Sequence, residues 1–162
     1  MTCLNQKSTQ PSLLIFRPNK KLGFLGKSSP KNFLESDADE QLIINLPFKQ
    51  NVKISDILVQ GLPDGSAPKE IWIFSNANDV NFDDVESRNP SQQIILTKEN
   101  VEGGVAVHLN ISKFTSVNSV TLFVKSNQSS TPTTKITKID FFGIPVDGTD
   151  LSKLEKLANS TN

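Results

Sequence analysis

Short runs rich in Val, Ile and Phe recur along this chain of 162 residues, and turn residues separate each run from the next. Such runs are typical of β-strands, and Gly, Pro, Asn and Asp break the chain between them. No long helical pattern lies between the runs, which argues against alternating β-α units. The spacing predicts an all-β fold, an antiparallel β-sandwich or jelly roll, with strands at 41–48, 52–60, 69–75, 92–97, 104–111, 119–126 and 135–144.

Side-chain alternation within the runs predicts the core, because successive side chains of a strand point to opposite faces. The third run, 69–75, is apolar on both faces, so it should lie centrally and another segment should cover its outer face. The fifth run alternates, and its apolar face consists of Val105, Val107, Leu109 and Ile111. The residues that we expect to be buried are Ile71, Trp72, Ile73, Phe74, Val107, Leu109, Leu122 and Val124.

A break in one strand and two short helical segments are also predicted. In the second run the apolar set changes face at Ser55 and Asp56, where a β-bulge would reset the register. At the C-terminus, Asp150 can cap a short helix over 151–158, whose apolar stripe consists of Leu151, Leu154 and Leu157. A single helical turn within 79–86 is a further hypothesis.

Charge differs between the two ends of the chain, and the predicted C-terminal helix marks off a third part. Residues 1–34 carry six basic and no acidic side chains, whereas residues 35–162 carry 11 basic and 17 acidic ones. We therefore divide the chain into a basic N-terminal segment that is partly irregular (1–31), the sandwich (32–148) and a C-terminal helix with its tail (149–162). A basic arm can bind nucleic acid. Here the bases are scattered and no RNA-binding signature surrounds them, so we expect no nucleic-acid binding. No apolar stretch approaches the roughly 20 residues of a membrane span, so we expect no membrane binding either.

The residue inventory argues against catalysis. The chain has one His, one Cys and no Tyr. His108 falls on the polar face of a predicted strand, and no serine lies in a G-x-S-x-G motif. With Cys3 alone, neither a redox pair nor a zinc site is available. We predict a non-catalytic domain without a cofactor. The single cysteine also fits a reducing compartment, the cytoplasm or nucleus.

Acidic residues cluster in two places. The first cluster precedes the first predicted strand and consists of Glu35, Asp37, Asp39 and Glu40. The second cluster lies in a loop that also contains three asparagines, and its acidic residues are Asp79, Asp83, Asp84 and Glu86. Oxygen-rich loops of the second kind can bind calcium, although neither cluster has EF-hand spacing. Solvated acidic loops are commoner than calcium sites.

Three segments resemble a known family. They are Phe33-Leu-Glu-Ser-Asp-Ala-Asp-Glu-Gln-Leu-Ile-Ile44, Val117-Asn-Ser-Val-Thr-Leu-Phe-Val-Lys-Ser-Asn-Gln128 and Thr134-Lys-Ile-Thr-Lys-Ile-Asp-Phe-Phe-Gly-Ile-Pro145. Together with Cys3-Leu-Asn5 they resemble the PITH domain, the C-terminal proteasome-interacting domain of thioredoxin-like proteins. The resemblance runs in order from about residue 3 to residue 147.

The resemblance implies a fold and a partner. The implied fold is a jelly roll similar to galactose-binding domains, and the implied partner is the regulatory particle of the 26S proteasome. A thioredoxin domain, which would carry any redox activity, precedes this domain in two-domain members. The chain is then either an excised C-terminal domain or a standalone member, and we expect it to be a monomer on its own.

Candidate partner-binding residues follow from charge and apolar pattern. The acidic set is Glu35, Asp37, Asp39 and Glu40, which could pair with a basic partner; the apolar set is Leu151, Leu154 and Leu157, which could dock in a groove or pack on the domain's own sheet. The alternative function is a ligand-binding sandwich that holds a sugar or calcium in its end loops. The predicted burial of Trp72 disfavours the sugar site, because such sites commonly use exposed aromatic residues.

Overall fold

The computed structural model describes residues 33–146 and the backbone of one short strand at 22–23. Apart from that strand, the predictions for 1–31 and for the C-terminal helix with Leu151, Leu154 and Leu157 fall outside the described residues. Within the described part, no helix is long and apolar enough to cross a membrane. The elements are β1 (Leu22–Gly23), β2 (Leu34–Glu35), β3 (Leu42–Gln60), β4 (Pro68–Ser75), β5 (Gln92–Ile95), α1 (Lys98–Val101), β6 (Val107–His108), β7 (Val117–Asn127), β8 (Lys135–Ile136) and β9 (Lys138–Pro145).

Among the strands that the structure describes, every pairing is antiparallel. The main sheet has the order β1-β9-β3-β7-β4-β5, with β6 paired to β3, and β2 forms a separate small sheet with β8. The predicted antiparallel β-sandwich is confirmed.

Strand β3 changes partner along its length. Its first part, 42–47, pairs with β7, and its second part, 52–60, pairs with β9. We predicted two separate strands here, which was wrong. The residues between them contain no Gly or Pro to break the chain, and a register shift between Pro47 and Val52 absorbs the change of partner. The predicted bulge is confirmed, because the pairing with β9 shifts between Ile54 and Asp56.

Strand β3 joins two groups of strands, because its first part pairs with β7, which continues to β4 and β5, and its second part pairs with β9, which continues to β1. The core lies between these two groups of strands. Apolar side chains from both halves of β3, from β4, β5 and β7, and from β9 form one buried cluster. Phe48 and Phe141 contact each other edge to face within it, with ring centroids 5.6 Å apart. The residues that we predicted to be buried are buried, except Val107, which is half-buried.

A second apolar cluster lies on the outer face of the sheet. Trp72 and Phe74 of β4 and Phe123 of β7 pack there against Val80 and Val85, which come from the connection between β4 and β5. We call residues 76–88 of this connection the cover. It confirms that a further segment covers the outer face of the third predicted strand. The helical turn predicted within 79–86 lies slightly later, at Val85–Ser87.

The prediction of a long fifth strand was wrong. Only Val107–His108 pairs with β3, while Val105 and Ile111 are about half exposed, at 52% and 46%. Polar caps interrupt the strand pattern on both sides. Before it, Thr97 and Asn100 form a reciprocal capping box that starts α1, a turn that we did not predict. After it, the Asn110 side chain accepts a hydrogen bond from the Ser112 N–H at 3.2 Å and starts another helical turn.

Candidate functional site

The acidic residues predicted to bind a partner lie together on one turn. Glu35 ends β2, and the chain turns through residues 36–40 before β3 begins. Glu35 and Asp37 are exposed, whereas Asp39 and Glu40 are half-buried. We call residues 35–40 the acidic turn. Glu35 and Asp37 therefore carry the more exposed carboxylates of the turn, and the other two lie partly beneath the surface.

Thr134 fixes the acidic turn from the far end of the sequence. The Ser36 N–H donates to the Thr134 carbonyl at 3.0 Å, and the Thr134 N–H donates to Ser36 Oγ at 2.9 Å. The Thr134 hydroxyl donates to the Glu40 carbonyl at 2.7 Å. Ser36 Oγ in turn donates to the Asp39 carbonyl, and Asp39 Oδ1 accepts the Gln41 N–H. Ser36 and Thr134 are buried, so these bonds hold the turn in one shape.

Asn127 organises the loop that supplies Thr134. Its side chain is buried, donates to the carbonyls of Thr131 and Thr133 at 2.8 and 3.2 Å, and accepts the Thr131 N–H at 2.9 Å. Ser130 occupies the left-handed region with φ 54°. In the sequence the only signal for this role is the Ser-, Thr- and Pro-rich stretch after Asn127, which is typical of a turn.

Lys135 moderates the charge at this end of the molecule. Its Nζ lies 3.9 Å from Glu35 Oε1, which also accepts the Thr133 hydroxyl, and 5.2 Å from the ring centroid of Phe33. The pKa of Asp64 is lowered, first by hydrogen bonds from the Ser66 side chain and backbone and then by the Lys135 charge. The Glu35 carboxylate therefore already has two partners within the domain, Lys135 and the Thr133 hydroxyl. Asp37 does not contact Lys135.

The single histidine is not placed as a catalytic base. His108 is 93% exposed in its side chain, and its Nδ1 contacts Asp56 Oδ1. The Ser55 hydroxyl donates to the other oxygen of Asp56 at 2.6 Å. The carboxylate thus lies between serine and imidazole, whereas nucleophilic catalysis requires the imidazole next to the hydroxyl.

Arg88 occupies the acidic loop considered for calcium. Its guanidinium contacts both oxygens of Asp79 and Oδ2 of Asp84. The hydrogen bonds to Arg88 lower the pKa of both carboxyls. Among the described residues, no group of three or more His, Cys, Asp or Glu side chains could hold a metal ion. One positive charge of the chain itself thus engages Asp79 and Asp84, two of the four carboxylates of this loop.

We expect calcium to leave the domain's stability unchanged. A ligand selective for the folded state raises the melting temperature, but Arg88 already engages the two carboxylates that a calcium ion would need. Thermal unfolding with millimolar calcium chloride should match unfolding in sodium chloride of equal ionic strength. A saturable shift specific to calcium, lost in Asp83→Asn or Asp84→Asn, would contradict this.

The fold places the chain in a structural class. It is similar to the C-terminal domain of a chitobiase from Bacteroides fragilis, with a TM-score of 0.53 and 16% identity, over 76% of this chain and 80% of that one. That likeness concerns the fold alone, an antiparallel β-sandwich of the galactose-binding-like type.

The family is shown by sequence comparison. The model of the PITH domain matches residues 1–159, and the chain belongs to that family. It is 35% identical to Thioredoxin-like protein 1 of Schizosaccharomyces pombe, over 97% of this chain and 52% of that protein. It is 30% identical to PITH domain-containing protein 1 of Homo sapiens, over 96% of this chain and 68% of that protein. The chain thus spans about half the length of the first relative.

Proposed function

We propose that this chain is a non-catalytic docking domain that binds the regulatory particle of the 26S proteasome in the cytoplasm or nucleus. The observation that carries the proposal is the match of the PITH domain model to residues 1–159, since association with the proteasome is what resemblance to that family implies. The position of the single histidine also supports a binding module over an enzyme, because His108 faces a carboxylate and not a nucleophile.

The acidic turn is the surface that we assign to the partner. It presents Asp37 from a backbone that Ser36 and Thr134 hold in place, so little backbone conformational entropy would be lost on binding. Glu35 lies beside it, where Thr133 and Lys135 already contact one of its oxygens. Exposed carboxylates fit a basic surface on the partner, and such contacts contribute mainly to specificity and the rate of association.

Charge reversal in the acidic turn should weaken binding to the proteasome. The variant Asp37→Lys/Asp39→Lys replaces attraction to a basic surface by repulsion. Wild-type binding should also weaken as salt rises, because exposed charges are screened over about 8–10 Å at physiological ionic strength. The measurement is affinity purification of the tagged domain from cell extract at low salt, followed by mass spectrometry of the regulatory-particle subunits.

The second acidic loop offers a matched control. Asp83 and Glu86 are exposed, and reversing both changes the net charge by the same amount as reversing Asp37 and Asp39. The single variant Asp37→Lys is also needed, because Asp39 accepts the Gln41 N–H and its loss could disturb the turn. All variants must keep the wild-type melting temperature. Recovery of regulatory-particle subunits only at background levels by the folded wild-type domain would overturn the proposal.

A further inference from the structure

Three oxygen atoms converge on one nitrogen of Arg88. Its Nη2 lies 2.9 Å from Asp79 Oδ2, 2.7 Å from Asp84 Oδ2 and 3.3 Å from the Asp79 carbonyl. The other guanidinium nitrogens complete the arrangement, because Nη1 donates to Asp79 Oδ1 at 3.1 Å and Nε donates to Asp84 Oδ2 at 2.8 Å. One planar cation therefore joins two residues of the cover that lie five positions apart in sequence.

These contacts bracket the part of the cover that packs on the sheet. Val80 follows Asp79 directly and Val85 follows Asp84 directly, and both valines are buried in the outer cluster with Trp72 and Phe123. Fixing the two aspartates to one side chain therefore fixes the two apolar residues that cover the sheet.

The start of the cover is held independently. The Asn76 side chain accepts the Asn118 N–H at 2.8 Å and donates to the Ser116 carbonyl at 3.0 Å. Asn76 has φ 58°, a left-handed conformation that asparagine tolerates better than most residues. Arg88 lies at the other end of the cover, and its contacts with Asp79 hold this end close to the start of the acidic loop.

The ion contacts should persist over the neutral range of pH, because both carboxyls are expected to stay ionised there. Hydrogen bonds from Arg88 hold the pKa of Asp79 and of Asp84 below the ordinary value of 3.8. A carboxyl with a lowered pKa in the folded state stabilises that state above its unfolded pKa, and the effect is lost as the pH falls through the folded value. Acidification to pH 5 should thus leave the contacts intact.

We propose that Arg88 acts as a tethered cation that keeps the cover closed over the outer sheet face around Trp72. The acidic loop needs a positive charge between Asp79 and Asp84 to hold Val80 and Val85 in place, and the chain supplies that charge itself. Removal of the charge should open the cover locally while the core between the two groups of strands stays folded.

The experiment compares Arg88→Met, Arg88→Lys and wild-type protein by amide hydrogen exchange. In Arg88→Met the aliphatic stem remains and the charge is lost, so the amides of Val85 and Ser87 should exchange about fivefold faster or more, which corresponds to a modest local destabilisation. The Asn118 amide, held by Asn76, and the core amide of Leu122 should keep their wild-type rates. Arg88→Lys should lie between wild type and Arg88→Met, because one ammonium cannot reproduce the forked contacts.

Trp72 provides a second readout, because it is the only tryptophan in the chain. Its fluorescence should become easier to quench with acrylamide in Arg88→Met, and not in Lys98→Met, which removes an exposed cation of α1. If Arg88→Met keeps the wild-type exchange rates at Val85 and Ser87, the proposal is wrong. Equal acceleration at Leu122 would also overturn it, since Arg88 would then contribute to global stability and not to closure of the cover.

Discussion

Replacing Gly143 by alanine is expected to lower the free energy of unfolding by about 3 kcal/mol or more, because the added methyl group has no space. A Cβ atom at this position would lie 2.0 Å from the Lys53 carbonyl oxygen and 3.0 Å from Ile54 Cα. Both neighbours are backbone atoms of β3, so no side-chain rotation can relieve the clash. Strand β9 would have to move away beside the bulge, where its pairing shifts between Ile54 and Asp56.

The neighbouring residue provides the control for Gly143→Ala. Ile144 is 47% exposed on the same strand, and Ile144→Ala should change stability much less, since surface substitutions usually stay within about 0.5 kcal/mol. Urea unfolding followed by circular dichroism measures both variants. Equal midpoints and slopes for Gly143→Ala and wild type would show that β9 does not approach β3 this closely.

Trp72→Ala should also be strongly destabilising, by about 3–5 kcal/mol, because it removes a large buried side chain and leaves a cavity. Trp72 is 8% exposed, contacts Phe123 edge to face at 5.7 Å, and donates from Nε1 to Glu70 Oε1 at 2.8 Å. The Lys125 ammonium lies 4.6 Å from the ring centroid. Truncation therefore loses apolar contact, one hydrogen bond and a cation–π contact together.

Trp72→Phe separates these contributions. Phenylalanine can keep much of the ring contact with Phe123 but cannot donate to Glu70, so its loss of stability should be clearly smaller than that of Trp72→Ala. Chemical unfolding must be followed by circular dichroism, because both variants lack the only tryptophan. A cost under about 1 kcal/mol for Trp72→Ala would place the ring at the surface instead.

Local alternation predicted much of the fold. It identified both faces of β4 and the inner face of β7, because burial on one face imposes a period of two on the sequence. It also located the bulge near Ser55 and Asp56. The continuity of β3 could not be predicted in this way. That continuity depends on which distant strand pairs with each half, and residues 42–60 do not contain this information by themselves.

The same pattern produced one error. The apolar alternation of Val105, Val107, Leu109 and Ile111 is regular, yet only Leu109 is fully buried. Capping interactions at Thr97 and Asn110 turn the chain on either side, and these side-chain bonds outweigh the strand preference of the residues between them.

The sequence predicted which acidic residues form the candidate site, but not the hydrogen bonds that hold them in place. The acidic residues are visible in the sequence, whereas their support by Thr134 depends on a contact with Glu40, 94 residues away. Asn127 contributes indirectly, because its bonds to Thr131 and Thr133 shape the loop that supplies Thr134. Asn127 also begins an Asn-Gln-Ser sequence that has the form of a glycosylation site. Its buried amide is committed to the carbonyls of Thr131 and Thr133, so a glycan there is incompatible with the folded loop.

The change of partner along β3 has a consequence for the order of folding. The first half of β3 can pair once β7 has been synthesised, but the second half gains most of its backbone partners only from β9, the last strand that the structure describes. Pairings between such distant segments form slowly, and an unpaired strand edge invites aggregation in the meantime. A nascent or truncated chain that ends before Lys138 would therefore expose the β3 edge from Val52 onward, which makes this segment the part of the sheet most prone to aggregate before β9 is in place.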